Sequence, residues 1–166
     1  VANEVINGVL DFGVLTFDPA ERGLNSVTIG VDELVLLTSP DHPLAARKEI
    51  SMEEFGRQTV IAHNDPSPAR ERVLRLSEQR HAPINIQMSF PSLDGIKRAV
   101  EMGLGVALLP RRCALTEISR RQLAVVKVAQ LRLPRKVRLV YRRSGELSRA
   151  AAAFLSSAKQ EERKLD

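Results

Sequence analysis

Apolar runs alternate with amphipathic stretches along almost the whole chain, and this alternation is typical of an α/β fold. Strands are predicted at 12–17, 27–38, 59–62, 84–88, 106–109, 125–128 and 137–141. The first of these runs is continuously apolar, which favours a buried strand parallel to its neighbours. The longest stretch, 27–38, is expected to contain two strand segments, one before and one after Gly30–Asp32.

Two helices between these strands carry clear start signals. Ser67 precedes Pro68, a pair that suits the cap and the first position of a helix running to about residue 80. Ser92 is the predicted cap of a second helix, 93–102, whose inner stripe is apolar. On the outer face of this helix, side chains four residues apart are expected to pair: Asp94 with Arg98, and Lys97 with Glu101.

Three further helices are expected from capping residues. Asn3 is the predicted cap of a first helix near the start of the chain. Ser51 and Glu54 form a Ser-x-x-Glu capping box, which predicts a short helix from residue 52. An amphipathic stretch from Ser148 predicts the last helix, so helices and strands alternate to the end of the chain.

Charge is distributed unevenly, although the net charge of +5 alone suggests a nucleic-acid partner. Residues 1–39 carry a net charge of −5, whereas 40–133 and 134–166 each carry +5. Opposite charges at the two ends favour folding of both ends into one lobe, with the middle as a second lobe. Aromatic residues are only 4% of the chain, so a solvated basic surface is favoured over direct DNA binding.

Composition also bounds the class of protein. With 43% hydrophobic and 27% charged residues, the chain has the composition of a folded soluble protein. It contains no apolar run of transmembrane length, and its first residues lack the basic and apolar regions of a signal peptide. A single cysteine, Cys113, fits a reducing cytoplasm, which is the expected location.

Motifs for catalysis, metals and cofactors are not found. No nucleophile elbow, zinc signature or paired Cys/His spacing occurs, so no catalytic residue, metal or cofactor is expected. The Gly-Leu-Gly run at Gly103–Gly105 lies between a helix and a strand, the reverse of the order in a dinucleotide site. Cys113 beside two arginines suggests an oxidant-sensing thiol, but an inert cysteine is the favoured interpretation.

Three turns at predicted strand ends are candidates for a ligand site, because α/β sheets bind ligands beyond the carboxyl ends of their strands. Two of the turns lead into helices, whose amino-terminal N–H groups favour an anion. The alternative is that the serines only cap their helices and that His63 is a surface residue. The candidate ligand contacts are Thr16, Phe17, His63, Asn64, Ser67, Phe90, Pro91 and Ser92.

Five segments together resemble a known family. In order they are VANEVINGVLDFGVL, DELVLLTSPDHPLA, SMEEFGRQTVIAH, SLDGIKRAVEMGLGVALLPR and VRLVYRRSGELSRAAAAFL. Their order and spacing resemble the effector-binding domain of LysR-type transcription regulators over nearly the whole chain. No single segment is diagnostic, so the resemblance rests on the set.

The resemblance implies a fold like that of type 2 periplasmic binding proteins, with two Rossmann-like α/β lobes joined by two crossover strands. Lobe one would comprise 1–38 and 135–166, and lobe two would comprise 39–134. A cleft between the lobes would be lined by the candidate ligand contacts. The family's domain begins with a strand, a hydroxyl-rich loop and a long helix that precede this sequence, so lobe one is expected to be truncated at its amino-terminal side.

The function implied is that of an effector-sensing domain, and not of an enzyme. A small ligand, expected to be a carboxylate or another anion, would modulate DNA binding by a winged helix-turn-helix domain that this sequence does not contain. The resemblance also implies a homodimer or tetramer. The alternative is the solute-binding protein of a transporter, which has the same fold. The effector's identity and the sense of regulation are not readable from the residues.

Overall fold

The alternation of strands and helices predicted from the sequence is confirmed in the computed structural model, which describes residues 1–17, 23–131 and 134–162. The chain divides into a first unit, Val1–Asp32 with Pro134–Asp166, and a second unit, Glu33–Leu133. The lobe bounds expected from the resemblance differ by a few residues and stay a prediction. Each unit is described separately below.

The first unit is a three-stranded sheet with a helix on each face. Its elements are α1 Ala2–Ile6, β1 Phe12–Leu15, β2 Leu24–Asp32, β9 Arg135–Arg142 and α6 Arg149–Glu162. The strand order is β1-β9-β2, and both pairings are antiparallel. Apolar side chains of β2, β9 and α6 form the core of this unit: Val27, Leu139, Leu155 and Ala158.

The prediction that the first strand is buried and parallel is wrong. β1 pairs antiparallel with β9, and Val14, opposite Leu139, is 56% exposed. Along β1 the burial alternates between half-buried or exposed and buried positions, as expected for a strand at the edge of the described sheet. Continuous apolar sequence therefore does not distinguish a central parallel strand from an edge strand.

Two other expectations in this unit need correction. Asn3 lies inside α1, which begins at Ala2, so it cannot be the cap; a cap must precede the first helical residue. The break in the long β-rich stretch comes at Glu33, because Gly30 and Asp32 still pair with β9. The expected division into two strand segments is itself confirmed, as β2 and the next strand.

The second unit contains six strands and four α-helices among its described residues. The strands are β3 Leu34–Thr38, β4 Glu49–Ile50, β5 Val60–His63, β6 Ile86–Phe90, β7 Ala107–Pro110 and β8 Ala124–Val128. The helices are α2 Met52–Gly56, α3 Pro68–Gln79, α4 Leu93–Glu101 and α5 Leu115–Ser119. The predicted capping box of α2 is confirmed, with both of its hydrogen bonds present between Ser51 and Glu54.

The sheet of the second unit mixes parallel and antiparallel pairings. Its strand order is β4-β8-β3-β7, and β5-β6 joins it through a bridge between Val60 and Val106. β5 is parallel to both β6 and β7, whereas β3 is antiparallel to both of its neighbours. The carboxyl ends of β5, β6 and β7 therefore lie at the same end of the sheet. β3 begins at that end, where Leu34 pairs with Pro110.

Helices cover both faces of this sheet. Val60 packs in a cluster with Val73 of α3, whereas its neighbour Ile61 packs with Ile96 and Val100 of α4. Consecutive residues of a strand point to opposite faces, so α3 and α4 lie on opposite sides of the sheet. The loop from β5 to α3 and the turn from β6 to α4 must therefore leave the sheet towards opposite faces.

The side-chain pairs predicted for α4 are wrong in their spacing. Lys97 pairs with Asp94 three residues before it and with Glu117 of α5, and Arg98 pairs with Glu101. Positions three apart and four apart are both neighbours on a helix, so the pattern alone did not decide between them. The contact to α5 is tertiary, and helical spacing carries no information about it.

Candidate functional site

Two predicted ligand loops begin side by side in the second unit, at the carboxyl ends of β5 and β6. His63, the last residue of β5, is in register with Phe90, the last residue of β6. One residue further, the Asn64 N–H donates to the Phe90 carbonyl oxygen at 2.9 Å. The structure thus brings the loop 63–67 and the turn 90–92 together, as expected for parallel neighbours.

The two loops then diverge to opposite faces of the sheet. The loop after β5 leads into α3, and the turn after β6 leads into α4 on the other side. In open α/β sheets, the point where connections from adjacent strands leave to opposite faces is where ligands bind. The observed topology therefore makes the ends of β5 and β6 a candidate site within the second unit.

Both helices are capped by the predicted serines. The Ser67 hydroxyl accepts a hydrogen bond from the Arg70 N–H at 3.2 Å, and the Ser92 hydroxyl accepts one from the Gly95 N–H at 3.1 Å. Both serines are exposed, so capping leaves each hydroxyl accessible. The predicted capping roles are confirmed, and the predicted ligand contacts stay a prediction.

His63 is held by its own loop. Its Nδ1 accepts a hydrogen bond from the Asp65 N–H at 3.0 Å, so in this arrangement the proton of the neutral ring is on Nε2. The Asp65 carboxylate lies 3.9 Å from the same nitrogen, but an Nδ1 that accepts a hydrogen bond does not donate to a carboxylate. In its neutral form the imidazole therefore offers an Nε2–H group to its surroundings.

Arg70 is a site residue that the sequence analysis missed. It belongs to the first turn of α3, and its Nη1 donates back to the His63 carbonyl oxygen at 2.9 Å. This bond ties the helix start to the end of β5 and brings a positive charge to the candidate site. A basic residue in the first turn of a helix, where acidic residues are usual, is the signal that could have identified it.

The turn before α4 has a different character. Phe90 is half-buried and packs against the cluster around Ile96, while Pro91 and Ser92 are exposed. Gly95 occupies the position that corresponds to Arg70, three residues after the capping serine. The α4 side thus contributes backbone N–H groups and an aromatic ring, without a basic side chain in the first turn.

Thr16 and Phe17 belong to the first unit, where they follow β1. Both are exposed. Asp18 and Pro19, a pair whose sequence predicts the end of this strand, lie outside the described residues. The participation of Thr16 and Phe17 in a ligand site stays a prediction.

Gly105 explains why a Gly-Leu-Gly run stands between α4 and β7. A Cβ atom added at Gly105 would lie 2.5 Å from the Thr59 carbonyl oxygen, which accepts a hydrogen bond from the Val106 N–H. Gly103 ends α4 with a φ of +75°, a conformation that glycine adopts readily. The run therefore serves a helix end and a close backbone approach, in agreement with the rejection of a dinucleotide motif.

Within 1–17, 23–131 and 134–162, no three His, Cys, Asp or Glu side chains are arranged to hold a metal ion. None of the helices in these ranges has the length and apolar character needed to cross a membrane.

Comparison with known proteins decides the family. The family model described as "LysR substrate binding domain" matches residues 1–163. The chain belongs to this family. A relative from Allochromatium vinosum, the RuBisCO operon transcriptional regulator, is 32% identical over 121 residues, which are 73% of this chain and 40% of that protein. The transcriptional activator CmpR of Synechocystis is 28% identical over 93% of this chain and 51% of its own length.

Solved structures confirm the expected fold. The regulatory domain of Synechocystis CcmR, solved in complex with 2-PG, has a TM-score of 0.85 and 21% identity, covering 96% of this chain and 76% of that one. The effector-binding domain of QuiR in complex with shikimate has a TM-score of 0.82 and 18% identity, covering 98% and 77%. The LysR-type domain thus has the periplasmic-binding-protein-like fold, and the chain spans about half the length of the curated relatives named above.

Proposed function

We propose that this LysR-type effector-binding domain recognises a small anion at the ends of β5 and β6. The observation that carries the proposal is the juxtaposition of His63 and Phe90 in register, from which α3 and α4 both begin. Pro68 has no N–H, but the other N–H groups at the two helix starts have no partners within their own helices beyond the capping serines, and the helix dipoles place positive potential there. Related domains solved with 2-PG and with shikimate support a small-molecule effector.

The charge around this edge supports an anion over a cation. Arg70 is anchored at the end of β5 by its bond to the His63 carbonyl. Asp94, in the first turn of α4, is paired with Lys97 at 3.0 Å. Asp65 is the carboxylate of the loop itself, but its side chain is 87% exposed, where water and salt screen it.

The domain is proposed to act as a sensor for a DNA-binding part of the same protein. Effector binding shifts a conformational equilibrium only through unequal affinity for the two states, so the ligand must bind one arrangement better. The shift would be read out through a homodimer or tetramer on DNA in the cytoplasm. We propose no catalytic role, because the residues at the site are arranged for hydrogen bonding and not for nucleophilic attack.

Thermal-shift measurements with a panel of shikimate, 2-PG, inorganic phosphate and sulfate test this proposal. A ligand that binds only the folded state raises the melting temperature in a concentration-dependent manner. At least one anion of the panel is expected to do so, and the methyl ester of shikimate, which lacks the negative charge, is expected to do so less than shikimate. A melting temperature unchanged by every anion would contradict the proposed site.

Serine variants locate the response. Ser67→Ala and Ser92→Ala are each expected to lower stability by about 1 kcal/mol through loss of a cap, and also to weaken the response to the anion. Ser148→Ala is the matched control, because its hydroxyl accepts from the Ala151 N–H at 3.1 Å at the start of α6 in the first unit. It removes the cap of a helix that contains none of the candidate ligand contacts, so the ligand response must remain. If the anion raises the melting temperature of all three variants equally, the ligand does not bind at Ser67 and Ser92.

A further inference from the structure

Arg70 has a guanidinium group that is only partly used by the protein. One N–H of its Nη1 is committed to the His63 carbonyl oxygen. A guanidinium carries five N–H donors in a planar fork. Among the described residues, no other hydrogen bond and no carboxylate partner of this group is found.

Two other basic side chains, one of α4 and one of α3, are engaged differently. Lys97 is paired with both Asp94 and Glu117, and only 13% of its side chain is exposed. Arg75, one turn further along α3, faces Glu71 at 3.8 Å. Arg70 therefore differs from both in that its one committed bond is to a neutral carbonyl, which leaves the full positive charge uncompensated.

We infer that Arg70 determines the specificity of the proposed site, by binding a carboxylate, phosphate or sulfate oxygen of the effector. The bond to His63 holds the side chain in place before a ligand arrives, which reduces the entropy lost on binding. The remaining N–H groups match the paired oxygens of such anions, as a lysine ammonium does not. The inference rests on the proposed function. It adds that the Arg70 guanidinium is the group that makes the site prefer an anionic ligand.

A purely structural role for Arg70 makes a different prediction. If the guanidinium only clips the loop 63–67 to α3, its loss would weaken charged and neutral ligands alike. If it binds the anion, its loss would weaken shikimate much more than the methyl ester of shikimate. The ratio of the two affinities therefore separates the roles.

The test uses the 166-residue chain, with inorganic phosphate as the first probe. Binding is monitored by NMR through the backbone amide signals of the non-proline residues of 63–70. In the wild type, phosphate is expected to shift these signals in a saturable manner. Arg70→Gln is expected to weaken phosphate binding roughly tenfold or more, the loss typical of a charge-assisted hydrogen bond. Arg70→Lys keeps the charge but lacks the fork, and is expected to lose less.

Arg75→Gln is the matched control, because it removes the same charge from the same helix away from the loop. Its phosphate affinity should equal that of the wild type. If the wild type shows no saturable shift with phosphate, shikimate or 2-PG, the proposed site fails and Arg70 with it. If the wild type binds but Arg70→Gln binds equally well, or loses ester and acid alike, only the inference on Arg70 is overturned. A melting curve for each variant verifies folding, and Arg70→Lys decides if the glutamine variant is unfolded.

Discussion

The starts of α3 and α4 share a design and differ in charge. Each follows a strand of one parallel pair, and each has a serine whose hydroxyl accepts the N–H of the third helical residue. At that third position α3 has Arg70, whose side chain reaches back to the strand end, and α4 has Gly95, which has no side chain.

In the proposed site, the two helix starts would therefore contribute differently to ligand binding. The α3 side offers a positioned charge, while the α4 side offers backbone N–H groups beside the half-buried ring of Phe90. A Cβ atom added at Gly95 would lie 3.4 Å from that ring and 3.2 Å from the Ser92 hydroxyl, so the space there is already tight. A ligand with an anionic end and a less polar body matches this pair of surroundings.

The largest effect is expected from a change that displaces β5, because β5 precedes α3 and pairs with β6, which precedes α4. In Gly105→Ala the new methyl group would meet the Thr59 carbonyl at 2.5 Å, so the β5–β7 contact must open. Forced backbone movement in a buried sheet costs about 2–3 kcal/mol, which denaturant unfolding would measure. Amide exchange at Ile61 and Asn64 should quicken together, because β5 carries one loop and pairs with the strand that carries the other.

Gly103→Ala provides the control for this prediction. Nothing lies within 4 Å of a Cβ atom at Gly103, so only its φ of +75° is strained. The expected loss is about 1 kcal/mol, with unchanged exchange in β5. Equal losses in the two variants would show that the close approach to Thr59 is not what Gly105 accommodates.

A smaller effect is expected from breaking the ion pair between Lys97 of α4 and Glu117 of α5. The Glu117 carboxylate accepts a hydrogen bond from Lys97 at 2.6 Å, which lowers the pKa of Glu117 below 4.5 and raises the pKa of Lys97 above 10.5. The stabilisation by Glu117 is thus present above pH 4.5 and is lost as the pH falls through its lowered value. That by Lys97 is lost as the pH rises through its raised value.

Glu117→Gln should therefore lower the free energy of unfolding by about 1 kcal/mol at neutral pH and make its decline in acid shallower. Unfolding by urea across the acid range measures both. Glu71→Gln, in the exposed pair with Arg75, should change neither. An acid decline as steep in Glu117→Gln as in the wild type would assign the decline to other carboxylates.

Local signals were readable from the sequence, whereas contacts between distant elements were not. Ser67 and Ser92 were identified as caps because capping depends on neighbours three residues away. The neighbours of β1 depend on β9, more than a hundred residues later, and no local pattern carries that pairing. The bond from Arg70 to His63 requires the course of the loop between β5 and α3, which the sequence did not supply.

The smallest effect is expected at Asp65, the carboxylate that stands in the same loop as Arg70. Its side chain is 87% exposed, so solvent and salt weaken its repulsion of a bound anion. Asp65→Asn keeps the backbone N–H that His63 accepts and removes only the charge. Phosphate affinity should rise about twofold at low salt, and this gain should vanish at high ionic strength. A similar gain in Asp94→Asn would mean that the bound anion is close to the starts of both α3 and α4. A gain confined to Asp65→Asn would mean that the anion binds at the start of α3.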